Sequence, residues 1–441
     1  MKRTGLALAP LSIELIERSI GEAASEKAMM LIAGASPYEG STVEVEGQPR
    51  LNFGSCSYLG LETRPELVQG VVSAVQRYGT QFPFAQPFLK CPLYEELESL
   101  LGRMTEGHAL VTPSTTLGHI AALPVLVGMG DALLVDQFAH ASIFTAAKLI
   151  RGAHTEILPH NRLDMLAERI EALSKVHGTV WYALDGLYSM RGDFAPLAAL
   201  LEMLHAFPTL HLYIDDAHCT SWTGQHGRGH ALDSIRHRER VVVALSLNKA
   251  FSAAGGALIF PSAGLKDRVR LAGGPMLFSG GIQPPMLGAA VASARLHVTP
   301  EFVDLQRRLL ARIRRVHELA ETLNVPFASD DLTPIAFIPC GQHKVTFALC
   351  HAMRRRGVYI APAVFPGVPY HKSGLRLTMS LHNSDADADQ VMAALSEEIG
   401  LIPEMKERRR RPDMLASAGA YGPGEASSLG GSSLPVEPTG S

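Results

Sequence analysis

Three short apolar runs in the sequence each end in residues able to do chemistry. LHLYI leads into Asp215-Asp216-Ala217-His218, TVWYAL into Asp185-Gly186-Leu187-Tyr188-Ser189-Met190, and VVVAL into Ser246-Leu247-Asn248-Lys249. In an open sheet of parallel strands, ligands sit beyond the carboxyl ends of the strands, so these carboxylates, hydroxyls, imidazole and single lysine would converge on one crevice. A partly desolvated lysine amine lowers its pKa and can form a Schiff base. A strand-end aspartate meets the second need of pyridoxal phosphate chemistry, a partner that keeps the ring nitrogen protonated. Taken singly, a strand-end aspartate or a loop lysine is more often structural than chemical. The combination, in this order, points to a cofactor site.

The elements that must position these groups are visible around them. From Leu51 to about Val298, short apolar runs alternate with amphipathic stretches. ALLVDQ, TVWYALDG, LHLYIDDA, VVVALSLN and GGALIF read as strands, and residues 162–176 and 196–207 as helices. Runs this short and this apolar are typical of parallel strands covered on both faces. After Pro300 the pattern changes to a long Arg-rich amphipathic helix, 301–324, and strand candidates TPIAFIPC, VYIAPAVF and LRLTMSL around a helix at 344–356. The expected organisation is an N-terminal arm (1–50), a large α/β domain (51–298), a smaller α+β domain (299–403) and a disordered tail (404–441). The last helix of the small domain is expected at 385–399. Its D-A-D-A-D run lacks the glycine and glutamate of a calcium loop and suits an acidic helix start.

Composition narrows the function classes. The chain has 441 residues, 40 Lys+Arg against 43 Asp+Glu, and 46% apolar residues. This excludes a basic nucleic-acid binder and an acidic disordered chain. The residues from Pro412 are more than half Gly, Pro and Ser, and hold Asp413, Glu425 and Glu437 with no Lys or Arg. Those three acids account for the whole net charge of -3, so residues 1–411 are formally neutral. The basic run before Pro412 reads as a solvated helix end. No apolar run is long enough to span a membrane; the nearest, 120–135, is broken by Pro124, Gly128, Gly130 and Asp131. The N-terminus does not read as a secretory signal. Five scattered cysteines suggest neither a disulfide framework nor a zinc site, which fits a cytoplasmic protein. His218, Cys219, His226 and His230 lack a zinc spacing, so no metal is expected, and no G-x-S-x-G elbow is present.

At this point the sequence resembles the α-oxoamine synthases, fold-type I pyridoxal phosphate enzymes. The resemblance runs from SCSYLGL (55–61) to GLRLTMSLH (374–382). It is most specific in DGLYSMRGDFAPL, YIDDAHCTSWTGQHGRG and SLNKAFSAAGG, with weaker support from FAHASI and from Phe278-Ser279 ahead of Pro284-Pro285. It implies an aspartate aminotransferase-like fold, in which a large, mostly parallel sheet domain carries a smaller C-terminal α+β domain. It also implies pyridoxal 5′-phosphate as cofactor, a homodimer, and condensation of an α-amino acid with an acyl-CoA or acyl-carrier thioester, usually with loss of CO2. By the same resemblance Lys249 is the Schiff-base lysine, Asp215 the partner of the ring nitrogen, His218 the donor to the ring hydroxyl, and His140 the residue stacked on the ring. Ser189 is placed near the ring hydroxyl, while Ser246, Thr115, Thr116 and Ser279 serve the phosphate, Ser279 from the neighbouring subunit. Arg376 binds the substrate carboxylate, a role suited to its planar fork.

The departures from the family lie on the substrate side. Ser55-Cys56-Ser57 stands where members usually carry an asparagine ahead of YLGL, and Tyr94 replaces a histidine. QFPFAQPFLKC replaces a Gly/Ser/Arg-rich segment, Ala361 replaces an arginine of some relatives, and Gly280 and Gly281 replace polar residues. Phe82, Phe84, Phe88 and Leu89 hint at a medium or long acyl chain, but a core or dimer-interface cluster accounts for them better. Two rivals stay open at this level. One is transamination or simple decarboxylation on the same scaffold; the other is a binding protein that kept the fold.

Overall fold

The computed structural model describes residues 13–410, with side chains over 13–406. Seven strands form the main sheet, in the order His108–Thr112, Gly256–Phe260, Val241–Ser246, Leu210–Asp215, Val180–Asp185, Ala132–Asp136 and His154–Leu158. The last five run parallel, and Gly256–Phe260 is antiparallel to both its neighbours. Side chains alternate between two cores. Leu212 and Ile214 pack with Leu134, Leu184 and Val243 on one face, and Tyr213 packs with Val135, Ala183 and Val242 on the other. Both faces are dry, which is why these strands show no polar alternation.

All five expected strands are present, and the expected helices occupy Leu163–Leu173 and Leu197–Ala206. The two strands not anticipated are the sheet edges. HTEIL, at one edge, is only partly covered and too polar to stand out. Ahead of this sheet, Thr42–Val45 pairs antiparallel with Gln48–Asn52 in a hairpin. Glu46 and Gly47 both take positive φ, 56° and 71°, as a two-residue hairpin turn requires. The second hairpin strand pairs parallel with Val358–Tyr359, so the division expected at residue 50 falls inside a strand.

The C-terminal part packs three strands, Ile335–Gly341, Ser373–Thr378 and Ala361–Ala363, in an antiparallel sheet with Ser373–Thr378 in the middle. Helices Pro300–Thr322, His343–Arg355 and Asp385–Leu401 share a core with it through Leu309, Ile313, Leu349, Met353, Leu375 and Leu395. Ser384 and Asp387 form a capping box at the start of the last of these helices, while Asp385 pairs with Arg312 and Asp389 with Arg315. A further helix, Pro403–Arg410, follows with Met405 buried, so the first residues of the segment expected to be a disordered tail are helical. The rest of that segment, and residues 1–12 of the arm, lie outside the described residues. No helix among the described residues is long and apolar enough to cross a membrane.

Candidate active site

Strand register sets Asp185 directly opposite Asp215 at the carboxyl end of the sheet. Asp215 is buried; its Oδ2 accepts from His119 Nε2 at 2.8 Å and its Oδ1 from the Ala217 amide at 3.0 Å. The other His119 nitrogen, Nδ1, lies 2.8 Å from the Tyr213 hydroxyl. An ionised carboxylate only accepts, so Nε2 donates to it and Nδ1 takes the phenol proton. Burial alone would raise the Asp215 pKa, but His119, then the charges of His140 and Lys249, bring it down to about 2. Asp185 behaves oppositely. Burial, and then the charge of Asp215, push it well up, and its Oδ1 accepts the His140 amide at 2.9 Å. Of the facing pair, Asp215 carries the charge.

Asp216 follows Asp215 but serves a different purpose. Its Oδ2 accepts the Ala231 amide at 2.9 Å, while Oδ1 has no partner. Burial pushes its pKa up to about 7. It packs so tightly that a Cβ on Gly186 or Gly229 would come within 2.1 or 2.2 Å of its oxygens.

The lysine loop is held by its own polar groups. The Asn248 amide donates to Ser246 Oγ at 3.3 Å, and the Gly255 amide to Asn248 Oδ1 at 2.7 Å. Lys249 is half-buried, and its amine makes no hydrogen bond or ion pair among the described residues. Its charge nonetheless acts on Cys56, His140, Asp185, Asp215 and His218, which places it among them.

Beside this loop begins the helix Thr115–Leu126. Ser114 caps it by accepting the Leu117 amide, and Thr115 Oγ1 donates to the Leu245 carbonyl at 3.2 Å. The amides of Thr115 and Thr116, first in the helix, have no helical acceptor. Gly256 backs onto them; a Cβ there would lie 2.6 Å from the Thr115 nitrogen. A helix start with open amides, seated on a sheet end, is suited to an anion such as phosphate.

The remaining groups form a second cluster. Arg376, at the centre of strand Ser373–Thr378, donates through Nε to the Ser189 carbonyl at 2.6 Å. Its Nη2 lies 3.3 Å from the Tyr58 hydroxyl, and that hydroxyl lies 2.8 Å from His218 Nδ1. Since Tyr58 accepts from the guanidinium, its proton goes to His218 Nδ1, and the His218 proton sits on Nε2. Burial, then the charges of Lys249 and Arg376, hold His218 well below the usual histidine range, so the ring is neutral.

Of the expected residues, Asp215, His218, Lys249, His140, Ser246, Thr115 and Thr116 gather at the sheet end, with Arg376 and Ser189 alongside. His140 is exposed, and its Nδ1 is engaged by Ser142. Ser279 takes no part in these contacts; its hydroxyl donates to the Pro275 carbonyl at 2.6 Å. Of the histidines weighed for a metal, His226 reaches the His297 carbonyl and His230 packs on Phe194. Sequence reasoning missed His119 and Tyr58. His119 is the lone ionisable residue in the apolar helix TTLGHIAALPVL, and that isolation was the available signal.

The family model "Aminotransferase class I and II" matches residues 49–395. An 8-amino-7-oxononanoate synthase of Pseudomonas paraeruginosa is 32% identical over 369 residues, covering 81% of this chain and 88% of the relative. The Maricaulis maris protein of the same name is 30% identical over 366 residues, covering 81% and 89%. Among solved structures, a serine palmitoyltransferase from S. paucimobilis superposes with a TM-score of 0.81 at 19% identity, over 88% of this chain and 98% of that one. An 8-amino-7-oxononanoate synthase from Francisella tularensis gives 0.68 at 21% identity, over 80% and 98%. The chain belongs to the aminotransferase class I and II family and, within it, to the α-oxoamine synthases.

Proposed function

We propose that the chain is a pyridoxal 5′-phosphate-dependent acyltransferase that condenses an α-amino acid with an acyl thioester, making a C–C bond and, with loss of CO2, an α-aminoketone. One observation carries this reading: an ionised, buried Asp215 and an unpaired Lys249 amine share the end of one sheet beside an open helix start.

These residues fit the cofactor. Asp215 would keep the ring nitrogen protonated, and His218, with its proton on Nε2, would donate to the ring hydroxyl near Ser189. His140 would stack on the ring. The Thr115 and Thr116 amides and Ser246 would hold the phosphate in a cradle that a side chain at Gly256 would disturb, and Ser279 would reach it from a second subunit. When bound, the cofactor supplies an electron sink for the bond broken at the substrate Cα.

The protein's own groups do the rest. Arg376 holds the substrate carboxylate, fixed in orientation by its bond to the Ser189 carbonyl. Lys249 would hold the cofactor and, as the free amine, would take the proton from the substrate Cα. Asp185 holds the backbone of His140 in place.

A homodimer and a cytoplasmic setting belong to the same proposal. Phe84, Phe88 and Phe278 stand 52%, 87% and 88% exposed on the single chain, which supports a partner that covers them. Cys56, Cys91, Cys219 and Cys350 form no disulfide among the described residues, which suits a reducing compartment.

The cofactor assignment is tested by borohydride reduction of the holoenzyme and peptide mass spectrometry. The cofactor mass is expected on the peptide that holds Lys249. Its appearance on another lysine, or a lysine-bound cofactor spectrum in Lys249→Ala, contradicts the proposal.

A further inference from the structure

Arg376 is buried, 7% exposed, and pairs with no carboxylate among the described residues. Its fork is nevertheless occupied. Nε is committed to the Ser189 carbonyl. The opposite edge, Nη1 and Nη2 together, points at Cys56 Sγ, at 3.6 and 3.7 Å. The residues paired with it on the two neighbouring strands, Ala361 and Phe337, bring no group to share the charge. The sulfur therefore stands where the two oxygens of a bidentate carboxylate would accept.

We infer that Cys56 sets the affinity and selectivity of the enzyme for its amino-acid substrate by competing with the substrate carboxylate for the Nη edge of Arg376. This rests on the reading that Arg376 anchors the amino acid. Sulfur is a weak acceptor, whereas a carboxylate makes two short charge-assisted bonds, so the substrate wins the edge. It must first separate the Arg376–Cys56 pair, and that step lowers the apparent affinity. An amine without a carboxylate cannot separate the pair, so the sulfur also screens out such amines.

The surroundings of the thiol agree with a charged pair. Burial would raise the Cys56 pKa, but the charge and hydrogen bonds of Arg376, then the charge of Lys249, lower it overall. The residue is only partly buried, so a small alkylating agent can reach it. A bound carboxylate would neutralise the guanidinium and cover the sulfur, and both effects slow alkylation.

The test uses holoenzyme and iodoacetamide, with labelling of Cys56 followed by peptide mass spectrometry. Glycine, L-alanine and L-serine serve as probes, each compared with its decarboxylated amine. The amino acid that perturbs the holoenzyme spectrum most is expected to slow Cys56 labelling about fivefold or more, and its amine is expected to leave the rate unchanged. Equal labelling with and without the amino acid, or equal protection by the amine, overturns the inference. In steady-state kinetics Cys56→Ala is expected to lower the amino-acid KM about three- to tenfold, the change lying in KM rather than kcat. An unchanged or higher KM in Cys56→Ala overturns the inference. Arg376→Lys separates the two readings. A large rise in KM upholds the anchor, and an unchanged KM removes the anchor and the competition with it.

Discussion

His119 Nε2 lies 2.8 Å from Asp215 Oδ2 and its other ring nitrogen 2.8 Å from the Tyr213 hydroxyl, so a buried phenol, imidazole and carboxylate form one chain of hydrogen bonds. That chain keeps Asp215 ionised in a place where burial favours the neutral acid.

Replacing His119 by Ala leaves both the carboxylate and the phenol short of a partner. The expected loss is about 1–3 kcal/mol of stability, together with weaker cofactor retention. His119→Gln, which can still present an N–H, is expected to lose less. Urea midpoints and the cofactor absorbance left after dialysis measure the two effects.

The adjacent aspartates are expected to respond to pH with opposite signs. The folded Asp215 pKa, about 2, is below the ordinary 3.8, so its contribution is present above 3.8 and fades as pH falls toward 2. The folded Asp216 pKa, about 7, is above 3.8, so stability falls as pH rises from 3.8 to 7. Asp216→Asn is therefore expected to gain in melting temperature, relative to wild type, between pH 4.5 and pH 8. Asp215→Asn shows no such gain and is less stable than wild type at pH 8. Melting curves at the two pH values, taken without added cofactor, decide this.

His160 sits between Asp136 and Asp193, its ring nitrogens 3.1 and 2.9 Å from their oxygens. Burial would lower its pKa, but the two carboxylates outweigh that and raise it to about 9. The stabilisation is fully present below 6.5 and lost as pH rises through about 9. The gap in urea midpoint between wild type and His160→Gln is expected to be wide at pH 6 and to narrow by pH 10. The ion pairs join the segment that leads to His140 with the loop that carries Ser189.

Gly256→Ala would push a methyl group to 2.6 Å from the Thr115 amide nitrogen, so the helix start must move. Losing one good amide bond to a phosphate corresponds to about tenfold or more in affinity. Titration of the apoenzyme with pyridoxal 5′-phosphate is expected to show that loss.

Legibility in the sequence followed burial and position along the strands. VVVAL and LHLYI stood out because both faces of the central strands are dry, whereas the edge strand HTEIL, half-covered, carried no comparable pattern. Arg376 was assigned through the family resemblance, whereas Lys249, Asp215 and His218 were found because they follow such runs. His119 was not, because its role depends on how the helix Thr115–Leu126 crosses the strand that ends in Asp215. Nothing in the pair Asp215-Asp216 says which one stays charged; strand pairing and His119 decide it. Cys56 and Arg376 are 320 residues apart, and their contact exists only once the segment after the hairpin meets strand Ser373–Thr378.

The central claim is C–C bond formation between an amino acid and an acyl thioester. Its most direct test follows free thiol released by the holoenzyme from acyl-CoA thioesters, with and without a panel of amino acids. Thiol release that requires both substrates and matches formation of an α-aminoketone is the expected result. Conversion of the amino acid to its oxo acid without thiol release, or thiol release without any amino acid, would contradict it.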